Sequence, residues 1–276
     1  MFGFIKTKPL LDADATHWLF DAFAWSLKNF DAEVFYHETI LVTPSNQHFP
    51  GRDSSAHGMA KLIFEQVKAY AGLKHWPYRL VDNNDPLLNA PAQVMIEGPL
   101  RGSKGNPKGV STAQANESQQ LIVPYNLNQL AKPEALIANY AHMLAHYLGQ
   151  TASGLPPGGE PFWPQATELL AVFMGFGVMV ANSAYTFRGG CGSCYNPLAE
   201  RSAFLSQDEA TYALAIFCIL KDIPNNEVLP HLKKYLRPVF KAAIKEINQK
   251  DDELAKLKSI TVTDRNAKQE QALSGH

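Results

Sequence analysis

The sequence predicts an α+β fold in which a small sheet precedes a mainly helical core. Three observations lead there. Apolar side chains recur at helical spacing near the N-terminus, short β-branched runs cluster between residues 78 and 125, and from Pro133 onward long apolar stretches are separated by proline- and glycine-rich loops. With 276 residues, 46% of them hydrophobic and 18% charged, the chain can bury a sizeable core. Residues 1–250 read as one domain, divisible into N-terminal and C-terminal subdomains, and 251–276 as a polar C-terminal tail.

From Asp14 to Phe30, Trp18, Leu19, Phe23 and Leu27 fall on one helical face. Val34 to Pro44 is aromatic and β-branched but alternates poorly. Pro44 and Pro50 bound an irregular segment, and Ala56 to Ala71 is again helix-like. Strand candidates follow at Tyr78–Val81, Gln93–Glu97 and Gln119–Tyr125. Gly98 to Gly109, between the last two, is rich in turn residues. It lacks the Gly-Lys-Ser/Thr ending of a phosphate loop, since Lys104 and Lys108 each precede glycine, so it reads as an exposed hairpin-like connection.

Pro133 suits the first turn of a helix that continues to Leu148, and Gly149 is a reasonable stop. Thr151 to Pro164 is loop. A second long helix is expected from near Gln165 toward Tyr185, with Gly175 and Gly177 permitting close contact between the two long helices. Its apolar run from Leu169 to Ala181 falls short of the roughly 20 residues that span a bilayer, which favours a buried helix. Ser206 and Glu209 form a capping-box pattern for a helix through Leu220, and Val228 to Ile247 supplies one more.

Composition narrows the partners. Lysine and arginine total 25 against 26 acidic residues, a net charge of −1, which offers no general attraction to nucleic acid or anionic membrane. The expected partner is a peptide or protein, with no nucleic acid and no membrane, and the oligomeric state is open. No basic-then-apolar leader opens the chain, which makes a cytoplasmic location the expectation. Three cysteines are too few for a disulfide scaffold. Cys191 and Cys194 have Cys-x-x-Cys spacing, for which a redox pair or a secondary metal site stands beside an ordinary loop or disulfide.

His142 and His146 are the most informative residues. Four positions apart on a helix, their imidazoles leave one face and can converge on a single ion. A catalytic zinc site needs a third protein ligand and an open position for water. Glu168, early in the next helix after a loop long enough to reverse direction, is the best candidate, and Glu160, in the loop, is the alternative. Hydrogen-bonded or solvated histidines on a packing face are the structural reading of the same pair. His37, His48 and His57 show no recognised metal spacing, and Tyr140 and Tyr147 neighbour the pair without an assigned role.

The stretch Leu136-Ile-Ala-Asn-Tyr-Ala-His-Met-Leu-Ala-His-Tyr-Leu148 resembles the active helix of zincin metallopeptidases. Ala166 to Ala184 resembles the second helix of a little-characterised bacterial group of zincin-like proteins, a likeness extending from Thr43–Pro50 to Pro238. In the gluzincin branch a glutamate from the following helix completes a His-His-Glu set. The resemblance therefore implies a zincin-like fold, Zn2+ as cofactor, and His142, His146 and Glu168 as ligands.

The chain departs from that pattern at one position. Where zincins carry the glutamate that polarises the metal-bound water, this chain has Met143, whose thioether moves no proton. Catalysis is then left without an assigned residue, Glu160 being the first acid/base suspect. The expected function is a zincin-like domain with residual zinc binding, no conventional peptidase activity and a role in binding a peptide or protein. A divergent zinc-dependent hydrolase is one alternative, and a metal-free structural or interaction protein the other.

Overall fold

The computed structural model describes residues 9–82, 94–96, 99–105, 110–112, 120–184 and 203–260. Cys191 and Cys194 lie outside them. Helix α1 (Ala13–Asn29) starts where the Asp12 carboxylate accepts the Ala15 N–H, and it buries Leu19, Phe23 and Leu27 as its spacing requires. The chain then turns at Asp31, held at φ 57°, into the short α2 (Ala32–His37). The poorly alternating stretch is thus partly helical, and it buries Phe35 rather than one face of a strand. Ser55 caps α3 (Ala56–Tyr70) through the Gly58 N–H.

Strand β1 (Tyr78–Asp82) pairs in parallel with β4 (Leu121–Tyr125), while β2 (Val94–Ile96) pairs antiparallel with β3 (Val110–Thr112). The architecture is accordingly α+β, with a small, open two-stranded sheet set against a mainly helical core. In β4 Leu121, Val123 and Tyr125 face inward and the residues between them are half-buried. In the described part of the glycine-rich connection, residues 99–105, two side chains are less exposed than the composition predicts. Leu100 and Arg101 are 0% and 1% exposed, and Asp31 Oδ2 accepts both of their N–H groups.

Helix α4 (Pro133–Gly149) is the central element, packed on α3, on α5 (Trp163–Ala171) and on α6 (Gly177–Ser183). The second long helix is not continuous. Between α5 and α6 residues 172–176 form a π-type segment in which Gly175 takes φ 100°. The reason lies in a close approach of backbone to backbone. A Cβ on Gly175 would sit 2.2 Å from the Ile40 carbonyl oxygen, and the Gly175 carbonyl accepts the Val42 N–H at 2.9 Å. Gly175 therefore faces the segment 39–42, and Gly177 faces Leu214 of α7 (Gln207–Leu220). The stretch Glu160–Ser183 is apolar and long enough to cross a membrane, yet its apolar window is wholly buried within the protein.

The capping box at α7 forms as the spacing predicts, with Ser206 and Glu209 satisfying each other's backbone N–H. Beyond it the helix expected over 228–247 is split. Short α8 (Asn225–Val228) ends in a 3-10 turn at Leu229–His231, Leu232 is extended, and α9 (Leu236–Ile247) begins two residues before Pro238. Proline is accommodated in a first turn and not in a helix interior, which places that start. Within the polar C-terminal segment, α10 (Asp251–Ser259) packs on α1 and buries Leu254 and Leu257.

Candidate functional site

Helices α4 and α5 are packed side by side, which brings the elements carrying His142, His146 and Glu168 into contact. Along α4, Leu144, Ala145, Tyr147 and Leu148 are buried, so the faces holding the histidines look outward. His142 is half-buried and His146 exposed. Met143 is partly buried against the hydrophobic core and serves as packing.

Glu168 is fully buried, and its carboxylate is already engaged. Oε2 accepts the backbone N–H of Phe204 at 2.5 Å and of Leu205 at 2.9 Å, in the two residues just before the Ser206 cap of α7. Two backbone donors thus meet part of the hydrogen-bonding demand of this buried carboxylate. The same turn sets the Phe204 ring over His142, with centroids 5.6 Å apart and planes 18° from parallel. One residue thus covers the first imidazole with its side chain and engages the glutamate with its backbone.

His146 has a different neighbour. The Gln150 side-chain amide donates to its Nε2 at 3.1 Å, occupying the lone pair that a metal would use. Although the residue is exposed, local desolvation of the ring beside its helix lowers the pKa of His146, which keeps it neutral near neutral pH. Among the described residues no three His, Cys, Asp or Glu side chains converge in a way that could hold a metal ion.

The remaining candidates are dispersed. Glu160 opens an exposed 3-10 turn (Glu160–Phe162), in a loop that α1 fastens through Trp18 Nε1 donating to the Pro157 carbonyl and Trp25 Nε1 to the Gly154 carbonyl. Tyr147 donates its hydroxyl to the Ile122 carbonyl at 2.7 Å, tying α4 to the sheet, and Tyr140 donates to the Ala60 carbonyl. Both hydroxyls therefore brace the scaffold. His37 is exposed. His48 Nδ1 bonds the Thr43 hydroxyl at 2.8 Å, and burial followed by the charge of His231 lowers its pKa. His57 Nδ1 bonds the Tyr125 hydroxyl at 2.7 Å.

Sequence reasoning missed Phe204 and Arg101. The apolar pair Phe204–Leu205 directly before a capping box is the position of a hydrophobic staple, the one signal that could have marked the turn as a docking point. Arg101 carried no such signal, being surrounded by turn residues. No protein-family model matches this chain, and neither a curated protein nor a solved structure shows significant similarity to it.

Proposed function

We propose that this chain is a metal-free interaction protein built on a zincin-like helix pair, with the place of the catalytic centre converted to structural use. The observation carrying the reading is the engagement of Glu168. Its carboxylate oxygen binds the turn that starts α7, where a zinc ligand would point at an ion. Phe204 over His142, the Gln150 amide on His146 and the packed Met143 support the same conclusion. A zinc peptidase needs a water-bearing metal and a group to take that water's proton. In this arrangement Met143 stands where the proton acceptor would be, and Glu160 is held outside on a fastened loop.

The deciding measurement is zinc content after gentle dialysis, paired with melting temperature with and without added zinc, for the wild type and for His142→Ala and His146→Ala. The reading expects well under a tenth of an equivalent in all three and no zinc-dependent shift that the variants abolish. About one equivalent in the wild type, lost in both variants, overturns it, because each histidine of a three-ligand site is indispensable to affinity.

A further inference from the structure

Residues of the glycine-rich connection that composition marks as an exposed turn, Arg101 to Ser103 and Gly105, instead line a cavity. About 570 Å³ opens between the end of α2, the end of α3 and residues 101–105. That is the size range of a small-molecule site. His142, His146 and Glu168 line none of it.

Arg101, at this wall, is 1% exposed. Its guanidinium lies over the Phe173 ring at 5.4 Å from the centroid, and its hydrogen bonds go to neutral acceptors, from Nε to the Ala71 carbonyl and from Nη2 to the Thr39 hydroxyl. Nη1 is buried and has no partner. His75 lines the same cavity, and its Nε2 is likewise buried without a partner. Burying a polar atom without a partner costs about 1–3 kcal/mol, so the guanidinium Nη1 and the imidazole Nε2 in one wall are an unusual concentration of unmet hydrogen-bonding groups.

Lys74, exposed at the cavity, adds a second positive charge, and Glu38 a single negative one. The Glu38 carboxylate is engaged by Ser103, accepting its N–H at 2.7 Å and its hydroxyl at 2.9 Å. Val34, Ile40 and Tyr70 supply apolar surface beside these groups. Asp31, behind the wall and outside the lining, is a second carboxylate acting on Arg101, so the surplus of one positive charge belongs to the lining alone, where Arg101 and Lys74 face the engaged Glu38. That surplus matches a monoanion, and the apolar surface matches a ligand with a hydrophobic body. We propose that this cavity binds a small organic monocarboxylate, its carboxylate paired with Arg101 and Lys74 and its apolar body against Ile40 and Tyr70. The planar guanidinium suits a carboxylate because charge-assisted pairs of this geometry are about twice as strong as neutral hydrogen bonds. Nη1 and Nε2 are closed to bulk water in this conformation, so the ligand seats with a side-chain adjustment of the wall.

Binding is measured by calorimetry and ligand-observed NMR on the full chain with phenylacetate and octanoate. Phenylacetamide serves as the uncharged control and inorganic phosphate as the compact anion. Phenylacetate or octanoate is expected to bind with a Kd on the order of 0.1–1 mM, ordinary for a ligand of this size, and phenylacetamide at least about tenfold more weakly. Lys74→Glu and Ile40→Glu alter residues at the open side and preserve the fold, and each is expected to weaken the acid about threefold or more. Arg101→Met is expected to abolish binding, and if it does not fold the two rim variants carry the test. Equal binding of acid and amide, no binding of either acid at about 10 mM, acid affinity unchanged in both rim variants, or phosphate binding more tightly than the acids each overturns the proposal. None of these outcomes depends on zinc, so this site and the reading of the helix pair stand or fall separately.

Discussion

Replacing Glu168 separates a structural carboxylate from one awaiting a cation. The side chain is fully buried and holds two backbone N–H groups at 2.5 and 2.9 Å. Hydrogen bonds to a charged acceptor contribute about 1.5–3 kcal/mol each, giving ~3–6 kcal/mol for the pair. Truncation to alanine recovers part of the carboxylate's own desolvation cost and leaves the Phe204 and Leu205 donors unmet, so Glu168→Ala is expected to lose ~2–4 kcal/mol net. Glu168→Gln keeps one carbonyl oxygen for both donors but forfeits the charge assistance, and a loss of ~1–2 kcal/mol follows. Urea unfolding in the presence of a chelator, followed by far-ultraviolet dichroism, reads both values as a lowered midpoint at unchanged slope. A chelated wild type that gains stability on Glu168→Gln refutes the reasoning. Gain on neutralisation is the behaviour of a buried carboxylate whose compensating charge is missing, as in a ligand stripped of its metal.

Two further outcomes follow from the geometry. Gly175→Ala is expected to cost ~2–4 kcal/mol, from a left-handed backbone and a Cβ driven to 2.2 Å from the Ile40 carbonyl oxygen; a melting temperature within a degree of wild type contradicts this. Acidification should destabilise the fold through His48 and His75, whose pKa values burial lowers from the ordinary 6.5. The unfolded chain takes up protons at 6.5 while the folded rings still resist them, so stability is whole above that pH and declines as pH falls toward the depressed folded values. Thermal melts between pH 7.5 and 5 should show the decline, shallower in His75→Gln, whereas a flat or rising profile rejects it.

How far the fold could be read from the chain depended on whether a signal was local. Ser206 and Glu209 are three residues apart and satisfy each other, so the start of α7 was legible to the residue. The helical register that puts His142 and His146 on neighbouring turns was equally plain, because it needs only the α4 geometry. The π-type break at Gly175 was not legible, since what forces it is the Ile40 carbonyl, distant in sequence. Arg101 was hidden for a related reason. Turn residues on either side of it suggested exposure, while its burial comes from Asp31, Ala71, Thr39 and Phe173 converging from four other places. Glu168 was expected as a third metal ligand at the start of the second helix; the backbone N–H groups of Phe204 and Leu205 that it accepts leave no mark in residue type, so their engagement of it was not legible.

The interruption at Gly175 also bears on how the chain reaches its native state. The most apolar stretch of the protein cannot complete its own hydrogen bonding locally, because the Gly175 carbonyl needs the Val42 N–H from a segment synthesised far earlier. That pairing closes a long loop, an entropically slow event, and until it occurs the greasiest surface in the chain lacks its cover. Newly made protein is therefore expected to pass through a sticky, chaperone-dependent interval whose length is set by the arrival of residues 39–42, with aggregation rather than simple unfolding as the outcome when that arrival is delayed.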